Sequence, residues 1–374
     1  MKTLIMPIVS IVFVIANSGV AVDATSLNAR SETPPEIVQE KSTAPRPVFA
    51  GLDVFGSSRL NETVLRKTFG TEIDQWIKMG LAGDPNTVDL ERRIAGAIRT
   101  KFDLASADWS VLQYVEEGRL VVYATLDVVE KKDVSRRAGF NVIPKSELPD
   151  PGGLIAEWQE YQKTALGLVS VGEVRIDTED CEAFHCPFGH KHPKLQKYEK
   201  IFLEGAKTFG KELAEILVKD GRAEIRGAAV FLLAYLKDGK TVVERVMPAV
   251  RDPEDLVRNN ALRVLIDIAQ YHSEIPVPVK TVVEALDFPS ASDRSKAANV
   301  VYFLALGAPQ VRQYLMDNAL PKLVSLVASV QPEQRVTAHA ILRKLSGKNL
   351  AATDIQGWSN WSKKAGQGRT VSQQ

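Results

Sequence analysis

Four segments in the C-terminal half of the chain share one pattern: RGAAVFLL (226–233), RNNALRVL (258–265), RSKAANVV (294–301) and RVTAHAIL (335–342). Each begins with Arg, has Ala three residues later and closes with two aliphatic residues. The starts are 32, 36 and 41 residues apart. Residues at this spacing share one helical face, and the small Ala lets a neighbouring helix approach closely. The repetition predicts stacked helix pairs that bury their apolar faces against one another. The repeat-defining residues are Arg226, Ala229, Arg258, Ala261, Arg294, Ala297, Arg335 and Ala338.

Two further features accompany each copy. An acidic residue precedes the Arg by one to three positions (Glu224, Asp255, Asp293 and Glu333), which predicts a cap at the helix start. The Arg itself is expected to reach the turn of a neighbouring repeat. Between the copies, a second amphipathic helix is predicted in each interval. These helices are expected over 241–253, 279–289 and 311–329.

The segment VMPAVRDPEDLVRNNALRVLIDIA (246–269) resembles the HEAT repeat family, and the resemblance covers about residues 205–365. It implies a curved α-solenoid whose concave face binds an extended protein partner, with no catalysis of its own. LSGKNLAATDIQGWSNWSKK (345–364) resembles the tail that closes many bacterial HEAT-like arrays. There Trp358 and Trp361 are expected to cover the last repeat, and the alternative for this pair is an aromatic ligand platform.

Composition and motifs narrow the function classes. The chain has 374 residues and a net charge of +1, from 47 basic and 46 acidic side chains, so a nucleic-acid partner is not expected. The sequence contains no phosphate-binding glycine loop, no Gly-x-Ser-x-Gly elbow and no His-Glu-x-x-His motif. No catalytic residue is therefore predicted, and a non-enzymatic role is favoured over an enzyme.

The N-terminus predicts export. Residues 1–24 carry Lys2, an apolar run and then small residues, which is typical of a secretory signal peptide cleaved after Ala21 or Ala24. An uncleaved N-terminal anchor is the alternative. The polar, proline-bearing stretch 25–46 predicts a flexible tether. The mature protein is expected to be soluble, without a transmembrane span, in a bacterial periplasm or secreted, where disulfides persist.

Residues 47–133 show the order strand, helix, helix, strand, strand. The first helix is expected to start at Asn61, to last one or two turns and to stop at Gly70. LDVFGSSRLNETVLRKTFG (52–70) and GRLVVYATLDVVEKKD (118–133) resemble a POTRA domain, the polypeptide-transport-associated module. The resemblance implies binding of other chains by strand addition, and an unrelated small α+β domain is the alternative.

The last strand of this region alternates two sets of side chains. Because successive residues face opposite sides of a sheet, one set is predicted to face the core and the other to face away. The predicted core set is Leu120, Val122, Ala124, Leu126 and Val128, and the opposite set is Val121, Tyr123, Thr125, Asp127 and Val129.

The stretch CEAFHCPFGHKHP (181–193) holds both cysteines and three of the five histidines of the chain. A disulfide between Cys181 and Cys186 is favoured for an exported protein. A zinc or copper site is the alternative, because thiolates and imidazoles suit both metals, and its ligands would be Cys181, Cys186, His185, His190 and His192. A redox or catalytic role is a third alternative.

The predicted fold class is thus multi-domain, a small α+β (POTRA-like) domain followed by an all-α HEAT-like solenoid. A connector, 134–204, contains the Cys/His-rich loop, and a disordered tail is expected at 366–374. The favoured function is an exported scaffold or adaptor without a cofactor that binds a protein partner. The alternatives are a metal-binding or metal-dependent protein and an envelope-assembly factor that acts through the POTRA-like domain.

Overall fold

The computed structural model describes residues 47–175 and 181–370. The predicted signal peptide (1–24) and tether (25–46) lie outside the described residues. Within the described ranges, no helix combines the length and the apolar character needed to cross a membrane.

A three-stranded sheet forms the first folded region. It contains β1 (Val48–Phe55), β2 (Leu104–Glu116) and β3 (Arg119–Glu130) in the order β1-β3-β2, with β1 parallel and β2 antiparallel to β3. Glu117 and Gly118 join β2 to β3, both with positive φ, as a two-residue hairpin turn requires. The predicted order strand, helix, helix, strand, strand is confirmed, and its last two strands form a hairpin.

Two helices cover one face of the sheet, α1 (Glu62–Ala82) and α2 (Thr87–Lys101). Asn61 caps α1 as predicted, with its side chain accepting from the Val64 amide. The predicted stop at Gly70 is wrong. The backbone departs from helical angles only at Phe69 and then resumes, because the later turns bury Ile73 and Trp76 against the sheet; α1 ends at Gly83 in the left-handed conformation.

Both faces of β3 are buried. The predicted core set supplies Ala124, Leu126 and Val128 to the core under α1 and α2. On the opposite face, Thr125 and Asp127 are also buried, because this face lies against the helical part of the chain. The sheet is therefore enclosed between its own helices and the helical array.

The rest of the chain is helical. After the short helix α3 (Val134–Arg137) come α4 (Leu154–Ser170) and then the helices of the array. These are α5 (Gln196–Lys219), α6 (Ala223–Leu233), α7 (Gly239–Val246), α8 (Asp255–Tyr271), α9 (Val279–Ala285), α10 (Ala291–Leu306), α11 (Pro309–Asn318), α12 (Leu320–Val327), α13 (Pro332–Ser346) and α14 (Ile355–Thr370).

The Arg-x-x-Ala segments lie on α6, α8, α10 and α13, each the last helix of its repeat. The single helix predicted over 311–329 is wrong, because the chain there forms α11 and α12, with Pro321 in the first turn of α12. The four last helices contact one another closely along the array, whereas the helices before them contact one another sparsely. We call α6, α8, α10 and α13 the inner helices, because the side on which helices pack more closely is the inner side of a curved array. The four repeat alanines, Ala229, Ala261, Ala297 and Ala338, are fully buried.

The two ends of the array are covered differently. Helix α4 and the loop before α5 share one core with the array, and α5 begins at Gln196, before the predicted boundary at 205. At the other end α14 contacts α11 and α12. Trp358 of α14 is fully buried, donates to the Ala351 carbonyl and contacts Trp361. Helix α14 also runs past residue 365 to Thr370.

Candidate functional site

Three of the four repeat arginines, Arg226, Arg258 and Arg294, form a buried ladder along the inner helices, whereas Arg335 is partly exposed and lies outside it. Arg226 makes two hydrogen bonds to Asp252 of the next repeat, each of 2.7 Å, and Arg258 reaches Asp293 of the repeat after that at 2.6 Å. Each arginine also donates to the carbonyl six residues before it, at 2.9 Å for Arg226 and 2.8 Å for Arg258. The ladder therefore joins each repeat both to its own turn and to its neighbour.

The third arginine finds its partner in the sheet. Arg294 donates to the Phe288 carbonyl as its counterparts do, but its carboxylate partner is Asp127 on β3, at 2.5 Å. In the fourth repeat, neutral Gln334 occupies the position that Asp293 holds in the third repeat, one residue before the Arg. The sheet thus supplies the carboxylate that the fourth repeat lacks. Burial raises the pKa of Asp127, and the charge of Arg294 opposes this rise.

Further contacts fasten the sheet to the array. Phe55 of β1 lies under both Arg137 and Arg294, with their guanidinium carbons 5.1 and 3.8 Å from the ring centroid. Arg137 is fully buried and donates to the Asp287 carbonyl and carboxylate. Burial and then the nearby charge of Arg294 lower the pKa of Arg137 to about 10. The two parts therefore share a buried polar interface.

The predicted acidic caps are wrong. The side chains of Glu224, Asp255 and Glu333 lie in the first turns of their helices and make no cap hydrogen bond. The cap of α10 is Ser290, which accepts from the amide of Asp293. Asp293 instead accepts from Arg258 of the Arg ladder at 2.6 Å, which pairs its buried charge with an opposite one.

The Cys/His-rich loop is closed by a disulfide between Cys181 and Cys186, whose Cα atoms are 6.4 Å apart. Cys186 is fully buried against the core of the array. The Phe184 amide donates to the Ala234 carbonyl at 3.0 Å and so ties the loop to the end of α6. The loop therefore lies on the first repeat.

The three histidines of the loop have separate partners. His185 Nδ1 lies 2.7 Å from Asp267 of α8, and His192 Nε2 lies 3.2 Å from Glu173. His190 is buried between the Leu195 carbonyl and the Tyr235 hydroxyl, at 3.2 and 2.7 Å. Because a carbonyl can only accept, Nδ1 of His190 carries the proton and Nε2 accepts from the hydroxyl. Burial lowers the pKa of His190.

The metal-ligand set proposed from the sequence is not brought together. The sulfur atoms of Cys181 and Cys186 are bonded to each other, and His185, His190 and His192 face different partners. Across the ranges 47–175 and 181–370, no group of three or more His, Cys, Asp or Glu side chains is arranged to hold a metal ion.

The loop and α4 cover the inner face of the first repeat. Phe231 of α6 lies against Trp158 of α4 and against His185, with ring centroids 5.2 Å apart in both pairs. Phe231 is only 6% exposed. The first repeat therefore offers no open inner surface.

Beyond this cover, the inner helices α8, α10 and α13 present a polar surface that we call the floor. Its side chains bridge neighbouring helices rather than pack in an apolar core. Asn259 accepts from Ser292 at 2.6 Å, and Asn299 donates to Glu333 at 2.8 Å. The floor consists of Asn259, Arg263, Ser292, Lys296, Asn299, Glu333 and Thr337.

Two cations of the floor lack a carboxylate partner. Arg263 is partly exposed and makes no hydrogen bond or ion pair within the described part of the chain. Lys296 is 6% exposed, and its ammonium donates to the Ser292 hydroxyl at 2.7 Å. Burial, followed by the charge of Arg263, lowers the pKa of Lys296 to about 8. The two positive charges are thus close enough to disfavour each other.

Sequence reasoning missed several of these residues. Asp127 is the one charged side chain in a strand stretch that is otherwise apolar or neutral, and this could have signalled a buried pair. Gln334, in place of an acid before the fourth Arg, could have signalled a partner from outside the array. The contacts of Trp158, Arg263 and Lys296 had no comparable signal, because they depend on how distant elements meet.

No family model matches this chain, and no curated protein matches it. Similar solved structures include a computationally designed armadillo repeat protein for modular peptide recognition, 17% identical, covering 52% of this chain and 92% of that one, with a TM-score of 0.35. A designed armadillo repeat protein in complex with the peptide (KR)4 is 15% identical, with coverages of 58% and 100% and a TM-score of 0.34. A third designed armadillo repeat protein is 19% identical, with coverages of 53% and 96% and a TM-score of 0.33. Because these TM-scores are low, the description of the fold rests on the helix order and contacts given above.

Proposed function

We propose that this chain is an exported, non-enzymatic scaffold or adaptor that binds a protein partner along the floor of a HEAT-like array. The observation that carries the proposal is the contrast along one inner face. The first repeat hides Phe231 under Trp158 and His185, whereas the residues at the equivalent position of the next three repeats are partly exposed. A surface of successive parallel helices suits an extended partner, which can contact each repeat in turn.

The sheet supports this role as a rigid border of the floor. The Tyr114 hydroxyl on β2 donates to Gln331 just before α13, at 3.2 Å. Gln331 in turn donates to Thr125 on β3 at 3.0 Å. Because these contacts are buried, the sheet holds the start of α13 in place beside Glu333. A border held in this way reduces the ordering cost when a partner binds.

The test is site-specific photo-cross-linking of the exported protein in its own cells. A photoreactive residue replaces Asn299 or Ala340, which both lie on the inner face, or Lys240 on the exposed side of α7. We expect one dominant protein to be captured from both inner positions and not from Lys240. Capture of the same protein from all three positions, or from Lys240 alone, would contradict the proposal.

Export needs a separate measurement, because it is proposed only from the sequence of residues 1–24. We expect the mature protein to begin after Ala21 or Ala24 and to fractionate with exported proteins. N-terminal sequencing of the protein from fractionated cells decides this. An intact Met1 in the cytoplasmic fraction would remove export from the proposal and leave binding by the floor to be judged by cross-linking.

One observation favours a second function, envelope assembly through the POTRA-like sheet. β1 and β2 lie at the two edges of the sheet, and a sheet edge can accept an added strand. Near the hairpin, Val111 and Val115 of β2 are 40% and 59% exposed. Capture of an unfolded or barrel-forming chain by a photoreactive residue at Val115, without capture at Asn299, would favour this function over the first.

A further inference from the structure

We infer that the floor binds an acidic segment of its partner, with a partner carboxylate held by Arg263 and Lys296. This inference rests on the proposed function and names the chemistry that the floor would recognise. It assigns to the partner the direct carboxylate contact that neither cation makes within the described residues.

Most N–H donors of Arg263 and Lys296 make no hydrogen bond within the described residues. Arg263 of α8 uses none of its guanidinium N–H groups within the described residues, and Lys296 of α10 makes one hydrogen bond, to the neutral Ser292 hydroxyl. An ammonium has three donors and a guanidinium five. Each side chain can therefore donate to a carboxylate, and Arg in particular matches carboxylate geometry through two parallel bonds.

Neighbouring carboxylates are already engaged. Glu333 accepts from Asn299 at 2.8 Å, and Asp267 accepts from His185 at 2.7 Å. Asp293 belongs to the Arg ladder through Arg258. None of these acids forms an ion pair with Arg263 or Lys296 among the described residues. Glu333 and Asp267 act on Arg263 from farther away, and Glu333, Asp293 and Asp255 act on Lys296, so what remains open at the two cations is direct contact with a carboxylate.

The other polar groups of the floor are less suited to recognition. The Asn259 amide bridges to Asp293 and Ser292, and the Asn299 amide bridges to Glu333 and Thr337. A partner that used these amides would first have to break bonds between helices. A partner carboxylate can instead pair with Arg263 or Lys296 without breaking a bond between helices. Such pairing offsets part of the desolvation cost of a poorly solvated cation.

The experiment uses the full chain and two fluorescent peptides, one alternating glutamate with serine and one alternating glutamine with serine. We expect the glutamate peptide to bind at least about tenfold more tightly at low salt, with the difference shrinking as salt screens the charges. Arg263→Gln and Lys296→Gln should each remove most of this preference. Lys240→Gln is the matched control, because Lys240 is an exposed cation on α7, and it should retain the preference.

Three results would overturn the inference: equal affinity for both peptides, no measurable binding of either, or tighter binding of a single-stranded oligonucleotide than of the glutamate peptide. Thermal unfolding of each variant verifies that loss of binding does not reflect loss of fold. The photo-cross-linking test separates the two proposals. If Asn299 captures a partner that Arg263→Gln and Lys296→Gln still retain, floor binding stands and acidic recognition fails; if Asn299 captures nothing, the proposed function fails as well.

Discussion

One position of the repeat shows how differently the inner face is used along the array. Five residues after the repeat Arg stand Phe231, Arg263, Asn299 and Ala340. Phe231 is buried beneath side chains from another part of the chain, and the other three are partly exposed. The same helical position therefore serves as core where the chain covers it and as polar surface where it does not.

The covered first repeat and the floor are therefore stabilised by different interactions. The covered region gains stability from apolar burial, because α4 and the disulfide loop bring aromatic side chains to α6. The floor is held by polar bridges between helices. It also carries two cations without an ion pair in the described residues, and burial disfavours their charged forms, which lowers stability. A polar surface that costs stability suggests selection for binding rather than for folding.

The largest expected loss in the free energy of unfolding comes from a substitution in the covered first repeat. Phe231→Ala removes a buried ring that contacts Trp158 and His185, and should lower the free energy of unfolding by about 3–5 kcal/mol. Guanidinium unfolding followed by tryptophan fluorescence measures this loss. Asn299→Ala at the equivalent position of the floor should cost about 1 kcal/mol, the contribution of its hydrogen bonds. Equal losses at the two positions would contradict the comparison.

The next largest loss in the free energy of unfolding is expected from the contact between the sheet and the array. Asp127→Asn leaves Arg294 buried without a carboxylate and should cost about 3 kcal/mol, at the low end for a broken buried pair because the amide oxygen still accepts. Gln334→Asp places an acid where the third repeat has Asp293, and should recover part of the loss in the double variant. A double-mutant cycle by guanidinium unfolding measures this recovery; strict additivity would show that Arg294 does not exchange partners.

Opening the disulfide weakens the cover itself. Replacing both Cys181 and Cys186 by Ser frees a short loop and should cost about 2 kcal/mol in a chain-entropy account. Hydrogen exchange should rise in the loop and at the end of α6, which the loop contacts through Phe184. Exchange in α13 serves as the internal control and should stay unchanged. Faster exchange throughout the array would mean that the disulfide acts on more than this cover.

The smallest expected effect is a gain, not a loss, in the free energy of unfolding. Lys296→Met removes a buried cation whose pKa, about 8, lies below the ordinary 10.5, and should raise the free energy of unfolding by an amount on the order of 1 kcal/mol. The charged groups that act on Lys296 are Arg263, Glu333, Asp293 and Asp255. Below pH 8 the lysine is charged in both states and its full cost is present. The cost disappears as pH rises from about 8 towards 10.5, so the advantage of Lys296→Met should shrink over that window.

Much of the local structure could be predicted from the sequence. The Arg-x-x-Ala spacing located all four inner helices, and the alternation in β3 identified the face that packs under α1 and α2. The stop at Gly70 was wrong because burial of Ile73 and Trp76 outweighs the low helix propensity of one glycine.

The candidate site could be predicted only in part. The repeat arginines were visible, but the partner of Arg294 was not, because Asp127 lies 167 residues away on the sheet. For the Cys/His-rich loop the sequence favoured the disulfide that the structure contains. The metal alternative stayed open there, since ligand types can be counted in a sequence while their directions cannot. Lys296 and Arg263 became notable only once the structure showed which carboxylates were already engaged.

The buried charge of Lys296 lowers the stability of the fold and, in our account, binds the partner. Lys296→Met tests both effects in one variant, by measuring its free energy of unfolding together with its affinity for the glutamate peptide. We predict a more stable protein that has lost most of its preference for the acidic peptide. A variant that is more stable and binds as before, or one that is less stable, would contradict the account.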